Sequence, residues 1–150
     1  MLNDPNYSVY LTREGNIDVR PKGPVNWRWE FANEKNGDLF ISFHLDSTDK
    51  NAVFAIRQEG KTNEKESERF AQFILNKLSL VVAVDRKVRN VKGATNYSTL
   101  GVLNNFGGRA GVLFEFGGIN STITTTIKDK IQEISEALKA GIDEYVTNID

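Results

Sequence analysis

Apolar and polar residues alternate in short runs through the first sixty positions, and turn-forming residues separate the runs, which is the pattern of half-buried strands. Residues 7–11 and 17–20 flank Glu14-Gly15-Asn16 and predict a hairpin. Residues 27–31 and 39–44 flank a loop ending in Asn36-Gly37-Asp38 and predict a second. Residues 52–57 alternate Val53, Ala55 and Arg57 against Phe54 and Ile56, adding a fifth strand to an antiparallel meander. The period then changes. Phe70, Phe73, Ile74 and Leu78 recur at three- and four-residue steps behind Asn63 and Glu66, a match to the capping box, and predict a helix. The β-branched run 80–84 reads as a buried strand rather than the end of that helix. Residues 98–103 and 111–116 read as two further strands joined by a glycine-rich loop. The final element is a helix over 126–146, with Ile127, Ile131, Ile134, Leu138, Ile142 and Tyr145 on one stripe and Thr126 with Asp129 as its capping box. The expected fold is α+β: an antiparallel sheet, made of an N-terminal meander plus a later hairpin, with two main helices, the last long and C-terminal.

At 150 residues, 39% hydrophobic and 26% charged, the chain can bury one core, and a single domain over 1–150 is expected. The absence of cysteine excludes disulfides, thiolate metal sites and a cysteine nucleophile, and makes a cytoplasmic location the simplest reading. The first ten residues have neither the basic start nor the apolar run of a secretory signal, and no window approaches a membrane span, so the sequons at Asn96 and Asn120 read as chance matches. A net charge of −1 argues against a general nucleic-acid binder. The charge is uneven, however. Residues 86–114 carry Arg86, Lys87, Arg89, Lys92 and Arg109 and no acid, which suits a small anion.

The stretch Phe106-Gly107-Gly108-Arg109 is where that anion would sit. Adjacent glycines bring backbone N–H groups close to a ligand, and Arg109 supplies a planar, permanently charged fork. The bland alternative is an ordinary turn with a solvated arginine. A second anion site is conceivable over 116–122, before the last helix, against the alternative of a simple cap. Trp27-Arg28-Trp29 offers indoles for stacking on a base, although paired tryptophans more often pack in a core, and Arg57 can reach phosphate or remain a strand-end charge. The sole histidine, His44, reads as a polar-face strand residue, and Glu64, Glu66 and Glu68 as solvated helix caps. No metal site or cofactor is read from these residues.

In size, in a β-rich first half followed by helices, and in Arg28, Arg57 and Phe106-Gly107-Gly108-Arg109, the chain resembles the phage Thoeris anti-defence family, sponges that sequester cyclic ADP-ribose-type signals. The resemblance implies a non-catalytic homo-oligomer in the host cytoplasm that traps a phosphorylated cyclic nucleotide, cyclic trinucleotides included, with no membrane or long nucleic acid as partner. It would place Arg109 and Arg57 on phosphates, with Gly107 and Gly108 allowing close approach. Phe106, Trp27 or Tyr97 would stack on adenine, and Asn104, Asn105 or Glu115 would bond base or ribose; Arg28 and Thr99 complete the expected pocket. Two other readings stay open. One is a phosphodiesterase or nucleotide hydrolase in which His44, Asp46 and Asp49 gather by folding, so that His44→Ala would abolish turnover. The other is an interaction protein using the terminal helix.

Overall fold

A computed structural model of the chain describes residues 4–15, 17–18, 27–47, 49–61, 63–91 and 100–149. The α+β expectation holds, with four helices and a four-stranded sheet among the described residues, but the sheet is mixed rather than antiparallel. The elements in chain order are β1 (Arg13–Glu14), β2 (Ile17–Asp18), α1 (Trp27–Glu34), β3 (Leu39–Asp46), β4 (Val53–Arg57), α2 (Glu64–Leu78), β5 (Arg89–Asn90), β6 (Ala110–Gly118), α3 (Ile123–Asp129) and α4 (Ile131–Thr147). The sheet runs β3-β6-β4-β5. β3 lies parallel to β6, β4 antiparallel to β6, and β5 parallel to β4.

These pairings correct the meander. β3 and β4 are consecutive, yet β6 inserts between them, with Phe40 opposite Gly111 and Ala55 opposite Phe114. Central position explains the composition of β4 and β6: Val53, Phe54, Ala55 and Ile56 are all buried because both faces are covered. One face carries Val53, Ala55, Val112 and Phe114 under α2 and α4, where Phe70, Ile74, Ile134 and Tyr145 pack. The opposite face carries Phe40, Phe54, Ile56 and Leu113 under Val91, Leu103 and Phe106, with Trp29 and Ala32 of α1 at its margin.

Four local expectations change. Residues 27–31 form α1 and not a strand: Trp27 and Phe31, one helical turn apart, meet edge to face at 6.2 Å, a contact available only at helical spacing. Asn36-Gly37 is therefore a helix C-terminal turn, with Asn36 at φ 51° and the Gly37 N–H donating to Ala32 O at 2.9 Å. The run 80–84 is a turn leading to a single bridge of Val84 to Val53, with Leu80 82% exposed. Within 98–103 the described residues 100–103 are coil and turn; 98 and 99 lie outside the described set. Among the described residues the first hairpin is the pair β1 and β2, and residues 7–11 are irregular; residues 19 and 20 of the expected strand lie outside the described set.

Helix ends also differ from the capping boxes. Asn63 makes no cap bond and instead donates from Nδ2 to Gly108 O at 3.1 Å. The helix expected over 126–146 starts at Ile123 and breaks at Lys130 into α3 and α4. Its start is capped by Asn51 from the loop after β3, whose Oδ1 accepts from Ile123 N–H at 2.7 Å and Thr122 Oγ1 at 2.9 Å. Asn51→Ala is expected to lower unfolding stability by about 1 kcal/mol in urea titration, the usual effect of losing a side-chain cap; unchanged stability would show that this bond contributes nothing. Most of the apolar stripe of α4 packs inside the subunit, where Ile134, Ile142 and Tyr145 are buried and the Tyr145 hydroxyl donates to Glu66, while Ile131 at its start is 59% exposed.

Candidate functional site

β3 and β6 run parallel and end together. His44 and Glu115 are register partners near those ends, so their side chains leave the same face about one strand spacing, ~4.8 Å, apart. Alternation puts Ser42 and then Phe40 behind His44 and Leu113 behind Glu115, so the floor beneath the pair is buried and mostly apolar, with the Ser42 hydroxyl its one polar group of these three. Phe54 of β4 flanks Glu115 on its other side.

The floor sets the chemistry of both groups. Glu115 Oε2 is buried with no hydrogen-bond partner, and loss of hydration, reinforced by the Asp46 carboxylate and opposed by Lys50, pushes its carboxyl up to about 7. His44 is open on its outer side, yet desolvation by its surroundings, and then the charge of Arg28, hold its imidazole below the usual value. At neutral pH the pair is therefore a neutral imidazole beside a carboxyl poised between its two forms, a combination suited to moving protons.

Asp46 at the end of β3 and Lys50 in the loop after it bring their charges to Glu115, and both are tied to the end of β6. Gly118 N–H donates to Lys50 O at 2.7 Å and Ile119 N–H to Asp46 O at 2.9 Å. Gly117, at φ 74°, sits where an added Cβ would lie 3.0 Å from Lys50 O and 2.2 Å from Ile123 Cγ2, so only glycine lets the strand turn here.

The residues singled out as an anion cradle are placed elsewhere and are already engaged. Gly107 N–H donates to Asn33 Oδ1 at 2.9 Å, and Gly108 packs on the backbone of Gly37 and Asp38. Phe106 is buried, with its ring 5.4 Å from Phe40. Arg109 is exposed, on the side of the sheet that carries Tyr145. Arg57 is bonded to both Glu64 and Glu68. Asn104 is half-buried, and Asn105 accepts at its carbonyl from Asn33. Trp27 is buried, with Arg28 over its ring. Tyr97 and Thr99 lie outside the described residues. Donors in the 116–122 stretch are used within the protein: Gly118 N–H donates to Lys50 O, Ile119 N–H to Asp46 O, Ser121 N–H to Gly118 O and Thr122 Oγ1 to Asn51 Oδ1. Of the expected set, Glu115 lies beside His44 as its register partner and Arg28 acts on His44 through its charge. Glu115 carried one usable signal: a lone acid in the apolar run 110–118 is an ionisable group at the buried end of a strand.

Among the described residues no three His, Cys, Asp or Glu side chains are grouped to hold a metal ion. No helix of the described residues is long and apolar enough to cross a membrane.

Comparison with known proteins adds the family context. A family model described as N-acetylmuramoyl-L-alanine amidase matches residues 1–144. No protein of curated function matches the sequence. Among solved structures, the apo form of Ami1, an N-acetylmuramyl-L-alanine amidase of Mycobacterium abscessus, superposes with a TM-score of 0.70 at 19% identity, over 90% of this chain and 66% of that one. The amidase AmiC2 of Nostoc punctiforme gives 0.71 at 19% identity, over 93% and 72%. The catalytic domain of the CD27L endolysin targeting Clostridia Difficile gives 0.60 at 19% identity, over 80% and 62%. The chain thus spans under two thirds of the endolysin domain and 66% of the mycobacterial protein, and at these identities the likeness is one of fold.

Proposed function

The chain belongs to the N-acetylmuramoyl-L-alanine amidase family, and from that premise we propose that its His44–Glu115 site hydrolyses the amide joining a muramoyl carboxyl to L-alanine in peptidoglycan. Family membership corrects the expectation of a non-catalytic Thoeris-type sponge. With it go the nucleotide-binding and anti-defence role, the phosphorylated nucleotide partner and the oligomeric trap built around it. The observation that carries the proposal is the half-buried Glu115 beside His44, its Oε2 buried without a hydrogen-bond partner.

Ionised Glu115 takes a proton from water as the water oxygen attacks the amide carbonyl carbon. Protonated Glu115 then returns that proton to the departing nitrogen as the C–N bond breaks, releasing a carboxylate and the free amine of L-alanine. Neutral His44 orients the water or the carbonyl by hydrogen bonding. Metal ions commonly assist amide hydrolysis; among the described residues no three His, Cys, Asp or Glu side chains are grouped to hold one, and the roles above are those of His44 and Glu115 themselves.

The test is incubation with peptidoglycan and with N-acetylmuramoyl-L-alanyl peptides, followed by labelling of new alanine amino groups. Release of alanine-terminated peptide, reduced at least ~100-fold in His44→Ala, is expected. Intact substrate after prolonged incubation with folded protein overturns the reading. Because the base works ionised, the rate should climb as pH rises from 5 to 8, with its midpoint near the Glu115 value of about 7; a flat profile across that window would remove Glu115 from the mechanism.

A further inference from the structure

On the face that carries His44 and Glu115, one row of side chains crosses the sheet. His44 on β3, Glu115 on β6 and Phe54 on β4 are successive register partners. Arg89 on β5 pairs with Ile56, the next residue of β4 on the same face as Phe54, and its guanidinium lies over the Phe54 ring at 4.2 Å. The row therefore reads imidazole, carboxyl, aromatic ring, guanidinium. Asp85 holds one corner of the fork, accepting from Arg89 Nη2 at 2.5 Å, and the side chain remains 22% exposed. A guanidinium carries five N–H donors, so a fork steadied by one ion pair and a ring face still has donors for a second carboxylate. Arg89 also belongs to the acid-free basic segment: Arg86 bonds Ser79, Lys87 is exposed with its backbone N–H donating to Asp85, Arg109 is exposed, and Lys92 lies outside the described residues.

We propose that Arg89 is a specificity-determining residue that binds a carboxylate on the peptide side of the substrate, two or three residues beyond the scissile amide. Strands lie ~4.8 Å apart, so two steps from Glu115 to β5 cover about 10 Å. An extended peptide advances roughly 3.4 Å per residue, which brings its second or third side chain to the guanidinium. Phe54 forms an apolar floor between the two ends, and the Lys50 ammonium, 4.0 Å from Asp46, also lies over that ring at 4.5 Å. Carboxylate against Arg is a bidentate, charge-assisted contact that a carboxamide cannot reproduce. The assignment rests on the amidase reading of the site.

The test uses N-acetylmuramoyl-L-alanyl tripeptides carrying glutamate or glutamine at the second or third residue. A preference of at least tenfold in kcat/KM for the acid at one of those positions is expected, seated mainly in KM. Arg89→Gln should abolish the preference while leaving kcat on the amide substrate unchanged, and Arg89→Lys should restore part of it. No preference in the unaltered protein, or a preference that survives Arg89→Gln, overturns the assignment while leaving the amidase reading intact. If no substrate turns over, calorimetry on the same peptides separates the two claims. Tighter binding of the acid that Arg89→Gln removes upholds Arg89 and refutes hydrolysis, and equal binding of acid and amide refutes Arg89.

Discussion

Replacing Glu115 with glutamine is expected to cut amide hydrolysis by about 10²–10⁴-fold, the usual contribution of a general acid–base, and at the same time to stabilise the protein above neutrality. The two effects share one cause. The Glu115 carboxyl, with an ordinary value of 4.5, is held at about 7 because its charged form is dehydrated and faces Asp46. Below pH 4.5 folded and unfolded chains both keep the proton, and the site has no effect on stability. As pH rises the unfolded chain ionises first, so stability falls from 4.5 up to 7 and the loss is complete above that. A tenfold difference in proton affinity between the two states is worth about 1.36 kcal/mol, and with solvent screening at the open side of the site a penalty of about 2 kcal/mol remains. Glutamine keeps the shape and removes the charge. Glu115→Gln should thus raise the melting temperature by about 4–8 °C at pH 8 and leave it unchanged at pH 4. Equal melting of the two proteins at pH 8, or lower melting of the variant, would mean the carboxylate is favourably solvated and is not the poised base described.

Gly108→Ala should be the most damaging small substitution in the glycine-rich loop, at about 3 kcal/mol. An added Cβ would lie 2.2 Å from Gly37 O, 2.9 Å from Asp38 O and 2.3 Å from Phe106 Cζ. Two of those atoms are backbone at the junction of α1 and β3, where the Ala110 N–H also bonds Asp38 O, so relief requires β6 to shift against β3. Arg109→Ala, one residue on and exposed, should stay within ~0.5 kcal/mol. Urea denaturation of the pair distinguishes a packing glycine from an anion cradle. Near-identical midpoints for Gly108→Ala and the unaltered protein would restore the loop as a flexible ligand site.

The corrected expectations share a physical origin. Gly-Gly beside arginine describes what a loop can offer an anion, but glycine is demanded equally where two backbones touch, and only the neighbours distinguish the cases. Arg57 reads as an available cation until α2 folds back and presents Glu64 and Glu68 to it. The alternation Trp27-Arg28-Trp29-Glu30-Phe31 satisfies a strand period as well as it satisfies a one-turn contact between Trp27 and Phe31, and a five-residue window cannot separate them.

By itself, the amino-acid sequence determined the α+β class, the cores of β3, β4 and β6, helix α2 and the apolar stripe of α4, because period and burial are written in consecutive residues. It also left His44 as a hydrolytic alternative, whereas Glu115 was named only through the overturned resemblance, as a group for base or ribose. Tertiary structure alone decided that β6 inserts between β3 and β4, and that decision makes the site. Strand partners are chosen by which faces bury most apolar surface together, a property of the whole sheet, and a histidine and a glutamate far apart in the chain become neighbours only once that choice is made.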